Sequence, residues 1–136
     1  NVRVMVGDTV AGVLEHIRSA VRDDEVRVEL VEATEPSPVS PYTTPEGSDD
    51  AFDLIESTIS EVFPDAVPAP YVMMAATDSR FFTSICERVY RFTPFRMTKA
   101  QRAAIHAADE RLGVDAYLDG VRWYRRLIER LPVSLG

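Results

Sequence analysis

Val2, Val4 and Val6 alternate with Arg3 and Met5, which predicts a half-buried strand at the start of the chain. No turn or cap precedes it, so the chain reads as cut there. Gly7-Asp8-Thr9 breaks the alternation and offers a helix cap, after which Val10, Val13, Leu14, Ile17 and Val21 share one helical face. Asp23-Asp24 then turns the chain into Val26, Val28 and Leu30, alternating with Arg27 and Glu29 as a second strand. Strand, helix, strand is half of a small α/β sandwich. From Glu35 to Gly47 the chain carries Pro36, Pro38, Pro41 and Pro45, which fix φ and remove four donors, predicting an extended connector. Ser48-Asp49-Asp50 opens a helix with Phe52, Ile55, Ile59 and Val62 on one face, ended by the stretch from Pro64 to Pro70. An apolar strand, Tyr71 to Ala76, and a short one, Arg88 to Phe92, come next. The last helix runs from about Asp115 to Leu131, with Tyr117, Leu118, Val121, Tyr124 and Ile128 expected inward.

A chain of 136 residues with a net charge of −7 and no long basic run lacks the concentrated positive field that phosphate binding needs. Neither nucleic acid nor an anionic membrane is therefore an expected partner. No apolar run reaches the roughly 20 residues that span a bilayer. Cys86, the single cysteine, rules out an intrachain disulfide and is expected to be a small buried hydrophobe in a reducing, cytoplasmic setting.

The chemistry concentrates in two places. Thr77-Asp78-Ser79-Arg80 stands at the end of the apolar run and is followed by Phe81-Phe82. His106 opens the run His106-Ala107-Ala108-Asp109-Glu110, beyond Tyr90-Arg91-Phe92. An arginine fork holds a carboxylate by two parallel charge-assisted bonds, and a neutral imidazole is a common zinc donor. Each also has a plain structural reading: an ion pair between Arg80 and Asp78, a lone His without a metal, and acids that merely cap a turn. His16 lies on the polar flank of the first helix and reads as a surface residue.

This order, Thr-Asp-x-Arg-aromatic, then Tyr-Arg-Phe, then His-x-x-Asp-Glu, resembles the C-terminal portion of the dinuclear zinc peptidases that include aminoacylases, carboxypeptidase S and N-fatty-acyl-amino-acid hydrolases. The resemblance implies an α/β fold: residues 1–33 as part of a lid sandwich that often dimerises, 34–47 as a linker, and 48–136 as the C-terminal part of a catalytic domain. It implies a hydrolase of N-acyl amino acids or C-terminal peptide bonds that uses two zinc ions when intact. His106 would be a metal ligand, Asp109 and Glu110 would steady it, and Arg80, held by Thr77 and Asp78, would grip the substrate carboxylate. The family motif has Asn where this chain has Asp109, and small Gly-Asn or Gly-Gly residues where it has Ala75-Ala76. One imidazole is too few donors for zinc, so these residues alone are expected to hold no zinc and to be inactive. The competing expectation is a binding or dimerisation module without catalysis. A homodimer joined through residues 1–33, and not through the last helix, is expected in either case, because alternating valines leave pairing edges.

Overall fold

A computed structural model describes residues 1–73 and 77–132. Among them the regular elements are helices: α1 (Val10–Val21), α2 (Asp50–Val62), a 3-10 helix (Asp78–Ser84), α3 (Lys99–Ala103) and α4 (Val114–Arg130). They belong to two compact units, one of Asn1–Ser40 with Val72–Val89, the other of Pro41–Tyr71 with Tyr90–Gly136.

In the first unit, α1 begins where the sequence places it. Thr9 holds an extended backbone and its hydroxyl accepts from Gly12 N at 3.0 Å. The Glu35 carboxylate accepts from Val10 N at 3.1 Å, placing negative charge at the positive end of the helix. Arg22 closes the helix in the left-handed region, φ 50, donating its amide to Arg18 O. The Ser40 hydroxyl serves both backbone groups of Val89, donating to its carbonyl at 3.0 Å and accepting from its amide at 2.9 Å.

None of the four expected strands forms among the described residues. Val2–Val6, Val26–Leu30 and Arg88–Phe92 carry no ladder, and the one bridge pairs Thr44 with Gly47 in a tight turn. Of the run Tyr71 to Ala76, residues 71–73 are not strand and 74–76 lie outside the described residues. Alternation says which side of a strand would be buried. It does not supply the neighbouring backbone whose N–H and C=O groups make a strand, and no such pairing forms for these runs among the described residues. The half sandwich is thus not seen among the described residues.

The second unit centres on α2 against α4. Ile59, Phe63 and Trp123 (2% exposed) are buried together, with Ile55, Val62, Phe92 and Leu127 packed around them. The predicted face of α2 thus meets the core. Asp49 caps this helix, its Oδ1 accepting from Phe52 N at 3.0 Å, and the Tyr90 hydroxyl lies 2.8 Å from the same oxygen and 2.7 Å from Pro41 O. At the other end Arg130 reaches Thr58 Oγ1 at 3.0 Å and Ser57 Oγ at 2.9 Å, while Arg126 meets Glu61 at 2.7 Å. Thr58 is fully buried, and its hydroxyl is satisfied by accepting from Arg130 and donating to Leu54 O at 2.6 Å.

The face of α4 departs from expectation. Gly120 and Trp123 are the buried positions, whereas Tyr117, Leu118, Val121, Tyr124 and Ile128 are all exposed. The helix is apolar on two adjacent arcs, and periodicity alone cannot say which arc meets the core. Gly120 decides it: a Cβ there would sit 2.1 Å from Phe95 Cε1, so the ring packs directly on the helix backbone. Cys86 is likewise exposed rather than buried, because it falls in irregular chain just past the 3-10 helix.

Candidate functional site

The segment of Thr77 to Arg80 becomes the start of the 3-10 helix. Thr77 is its N-cap, extended at φ −141 and ψ 160, with its hydroxyl accepting from Ser79 N at 3.2 Å and in contact with the Ser79 hydroxyl. Asp78, in the first turn, is exposed. Arg80 donates its amide to Thr77 O at 3.2 Å, and its carbonyl accepts from the Thr83 hydroxyl at 2.7 Å. This backbone is fixed by its own short-range bonds. The guanidinium stands 4.7 Å from the centroid of the Phe81 ring, and no ion pair joins it to Asp78. The structural reading of Arg80 as the partner of Asp78 is thereby excluded. An exposed cation laid on an aromatic face, with Phe82 and Ile85 also exposed beside it in sequence, combines a carboxylate donor fork with apolar surface.

His106 lies in the second unit, in the turn that follows α3. That helix opens with a reciprocal cap: Gln101 N donates to Thr98 Oγ1 at 3.2 Å and Thr98 N to Gln101 Oε1 at 2.8 Å. The pattern Thr-x-x-Gln is a readable start signal for a helix that the hydrophobic pattern had passed over. After Ala104 the chain turns, and His106 takes φ 68. A histidine in the left-handed region costs roughly 1–2 kcal/mol relative to the right-handed one, so the surroundings must hold it there. Glu110 does so by accepting from His106 N at 3.1 Å. The carboxylate expected to steady the imidazole thus steadies the backbone beneath it. Asp109 pairs with Arg111 at 3.0 Å and is not directed to the ring. His106 itself is exposed, its imidazole free of any bond to either acid.

The two groups of residues fall in different compact units, Arg80 with Thr77 and Asp78 in the first, His106 with Asp109 and Glu110 in the second. Among the described residues no group of three or more His, Cys, Asp or Glu side chains is disposed to hold a metal ion. His106 can offer one donor to a metal ion. His16 is exposed on α1, as its polar flank implied. Among the described residues no helix is long and apolar enough to cross a membrane.

Residues 2–130 match the model of Peptidase family M20/M25/M40, and the chain belongs to that family. A probable carboxypeptidase S-like 2 of Dictyostelium discoideum is 35% identical over 95% of this chain and 24% of its own length. An N-fatty-acyl-amino acid synthase/hydrolase of Homo sapiens is 35% identical over 95% of this chain and 25% of its own. One of Danio rerio is 32% identical over 98% of this chain, again 25% of its own. The chain thus spans about a quarter of the length of the curated relatives it matches. No solved structure matches it.

Proposed function

We propose that these residues form part of a hydrolase that acts beside a free α-carboxylate, on N-acyl amino acids or on C-terminal peptide bonds. The observation that carries the reading is Arg80, exposed, free of Asp78 and lying on Phe81. Its fork would take the substrate carboxylate by two charge-assisted bonds, and the neighbouring rings would take apolar parts of the substrate. Thr77 and Asp78 position this arginine through the short helix they begin. The names of the relatives, carboxypeptidase S-like and N-fatty-acyl-amino acid synthase/hydrolase, support both substrate classes.

His106 is proposed as one ligand of a zinc pair whose other donors lie outside these residues, held in place by the Glu110 bond to its amide. Zinc would supply a Lewis acid and an activated water when bound. The residues present do not complete its donor set, and Asp109, paired with Arg111, is proposed only to border the imidazole. The division into a lid part (1–33), a linker (34–47) and the end of a catalytic α/β domain (48–136) follows from the family reading and is proposed with it. So are a homodimer and a cytoplasmic location.

The test uses a family-length protein carrying these residues. Arg80→Lys keeps the charge and loses the fork, so kcat/KM should fall about tenfold or more toward an N-acyl amino acid and change little toward its amide. An equal loss on both would make Arg80 structural. The competing reading, a binding module without catalysis, is met by a protein that holds N-acyl amino acids and turns over none of them.

A further inference from the structure

Arg80 and Phe81 are consecutive in the 3-10 helix Asp78–Ser84. At three residues per turn their side chains leave the helix about 120° apart, so the backbone alone does not press them together. The guanidinium nevertheless lies over the Phe81 ring, its central carbon 4.7 Å from the centroid, inside the roughly 6 Å reach of a cation on a π face. The long side chain has turned to meet the ring. Phe81 itself is 64% exposed, and among the described residues its ring pairs with no other aromatic and takes no part in the buried cluster. Core packing does not account for an aromatic here. A second arginine shows what such a contact leaves open. Arg96 lies 5.0 Å from the centroid of Phe63, and its two terminal nitrogens at the same time hold the Asp65 carboxylate at 2.8 and 2.5 Å. A ring face attracts the charge through its quadrupole and fills none of the acceptor positions that a carboxylate takes. Arg80 has the same ring contact, and among the described residues no acid of the chain pairs with its fork.

We infer that Phe81 is a positioning residue for Arg80, its ring holding the guanidinium so that the fork meets a substrate carboxylate already oriented. This role rests on Arg80 as the carboxylate clamp proposed above. A guanidinium loose in solvent gives up its rotamer freedom when it closes on a ligand, and one already held gives up less. The backbone beneath it is fixed as well, since the Arg80 amide donates to Thr77 O and its carbonyl accepts from the Thr83 hydroxyl. An exposed contact of a cation with a ring changes affinity by about two- to fivefold. The carboxylate is not the reacting group and is gripped alike before and during the reaction. The gain therefore falls on KM and leaves kcat unchanged.

The test uses a family-length protein carrying these residues and a matched pair of substrates, an N-acyl amino acid and its amide. Phe81→Leu removes the π face and keeps an apolar side chain, and at so exposed a position it should leave the fold intact. KM for the acid should rise about two- to fivefold, with kcat and the KM of the amide unchanged, and Phe81→Tyr should keep the parent value. In an Arg80→Gln background Phe81→Leu should add no further loss selective for the acid. A second readout needs no turnover: in the 136-residue chain the NMR signal of the Arg80 Nε–H should carry the ring-current shift of Phe81 and lose it in Phe81→Leu. An equal rise of KM on acid and amide would make Phe81 an apolar contact to the substrate and overturn the inference. So would an unchanged KM, or an Arg80 signal indifferent to Phe81→Leu. Failure of the proposed function looks different, because Arg80→Lys would then cut activity equally on acid and amide. An Arg80→Lys loss confined to the acid, beside an indifferent Phe81→Leu, would sink the positioning role alone.

Discussion

Gly120→Ala sets two known effects against each other at one position. Glycine inside a helix costs about 1 kcal/mol relative to alanine, so propensity alone predicts stabilisation. Against this, the new Cβ would lie 2.1 Å from Phe95 Cε1, 2.3 Å from Cδ1 and 3.0 Å from Cζ, where ordinary contact begins near 3.4 Å. The ring would have to withdraw by more than 1 Å. It is not a loose chain end: Tyr117 stacks on it at 6.1 Å and Tyr124 tilts against it at 6.3 Å. Overpacking of this kind costs about 1–3 kcal/mol, and disturbing two aromatic contacts adds about 0.5–1.5 kcal/mol each. The net expectation is a loss of about 1–5 kcal/mol. Urea unfolding followed by helical circular dichroism should show it as a lower midpoint at constant slope. In a Phe95→Ala background the obstacle is gone, and Gly120→Ala should instead stabilise by up to about 1 kcal/mol, giving a coupling energy of about 2–6 kcal/mol. A Gly120→Ala variant that is more stable than the parent with Phe95 in place would refute the packing argument.

Replacing His106 by Gly or by Ala removes the same imidazole, but at φ 68 the Gly variant should be more stable by about 1 kcal/mol, measured by urea unfolding. In a family-length protein both variants should lose bound zinc, and retention of normal metal content would remove His106 from the ligand set. Thr98→Ala breaks the reciprocal cap with Gln101 and should cost about 1 kcal/mol, with the loss read as faster amide exchange in α3. The Arg96 guanidinium, bonded to Asp65 at 2.5 and 2.8 Å, holds the Asp65 carboxyl below its ordinary range. Its contribution is therefore complete above that range and is lost as pH falls through the lowered value. The Tm advantage over Asp65→Asn should persist at neutral pH and vanish in acid, and an advantage that grows in acid would show the sign to be wrong.

The local chemistry of helix ends was legible along the chain, because a cap needs only its own neighbours. Thr9 and Asp49 cap where their positions imply, and the face of α2 that reads as apolar meets the core. The order of Thr77, Asp78, Arg80 and His106 was enough to point to the family that the residues 2–130 match. Even α3 had a local signal in Thr98 and Gln101. Strands were different, since Val2–Val6 and Val26–Leu30 show alternation but a ladder depends on backbone far away in sequence. The orientation of α4 was also beyond periodicity: two arcs were apolar, and only the approach of Phe95 to the bare backbone of Gly120 selected the one through Trp123. At the candidate site, residue types announced Arg80 and His106. Tertiary structure alone laid the guanidinium on Phe81 instead of Asp78 and turned Glu110 to the His106 amide, because those choices depend on where the backbone sends each side chain.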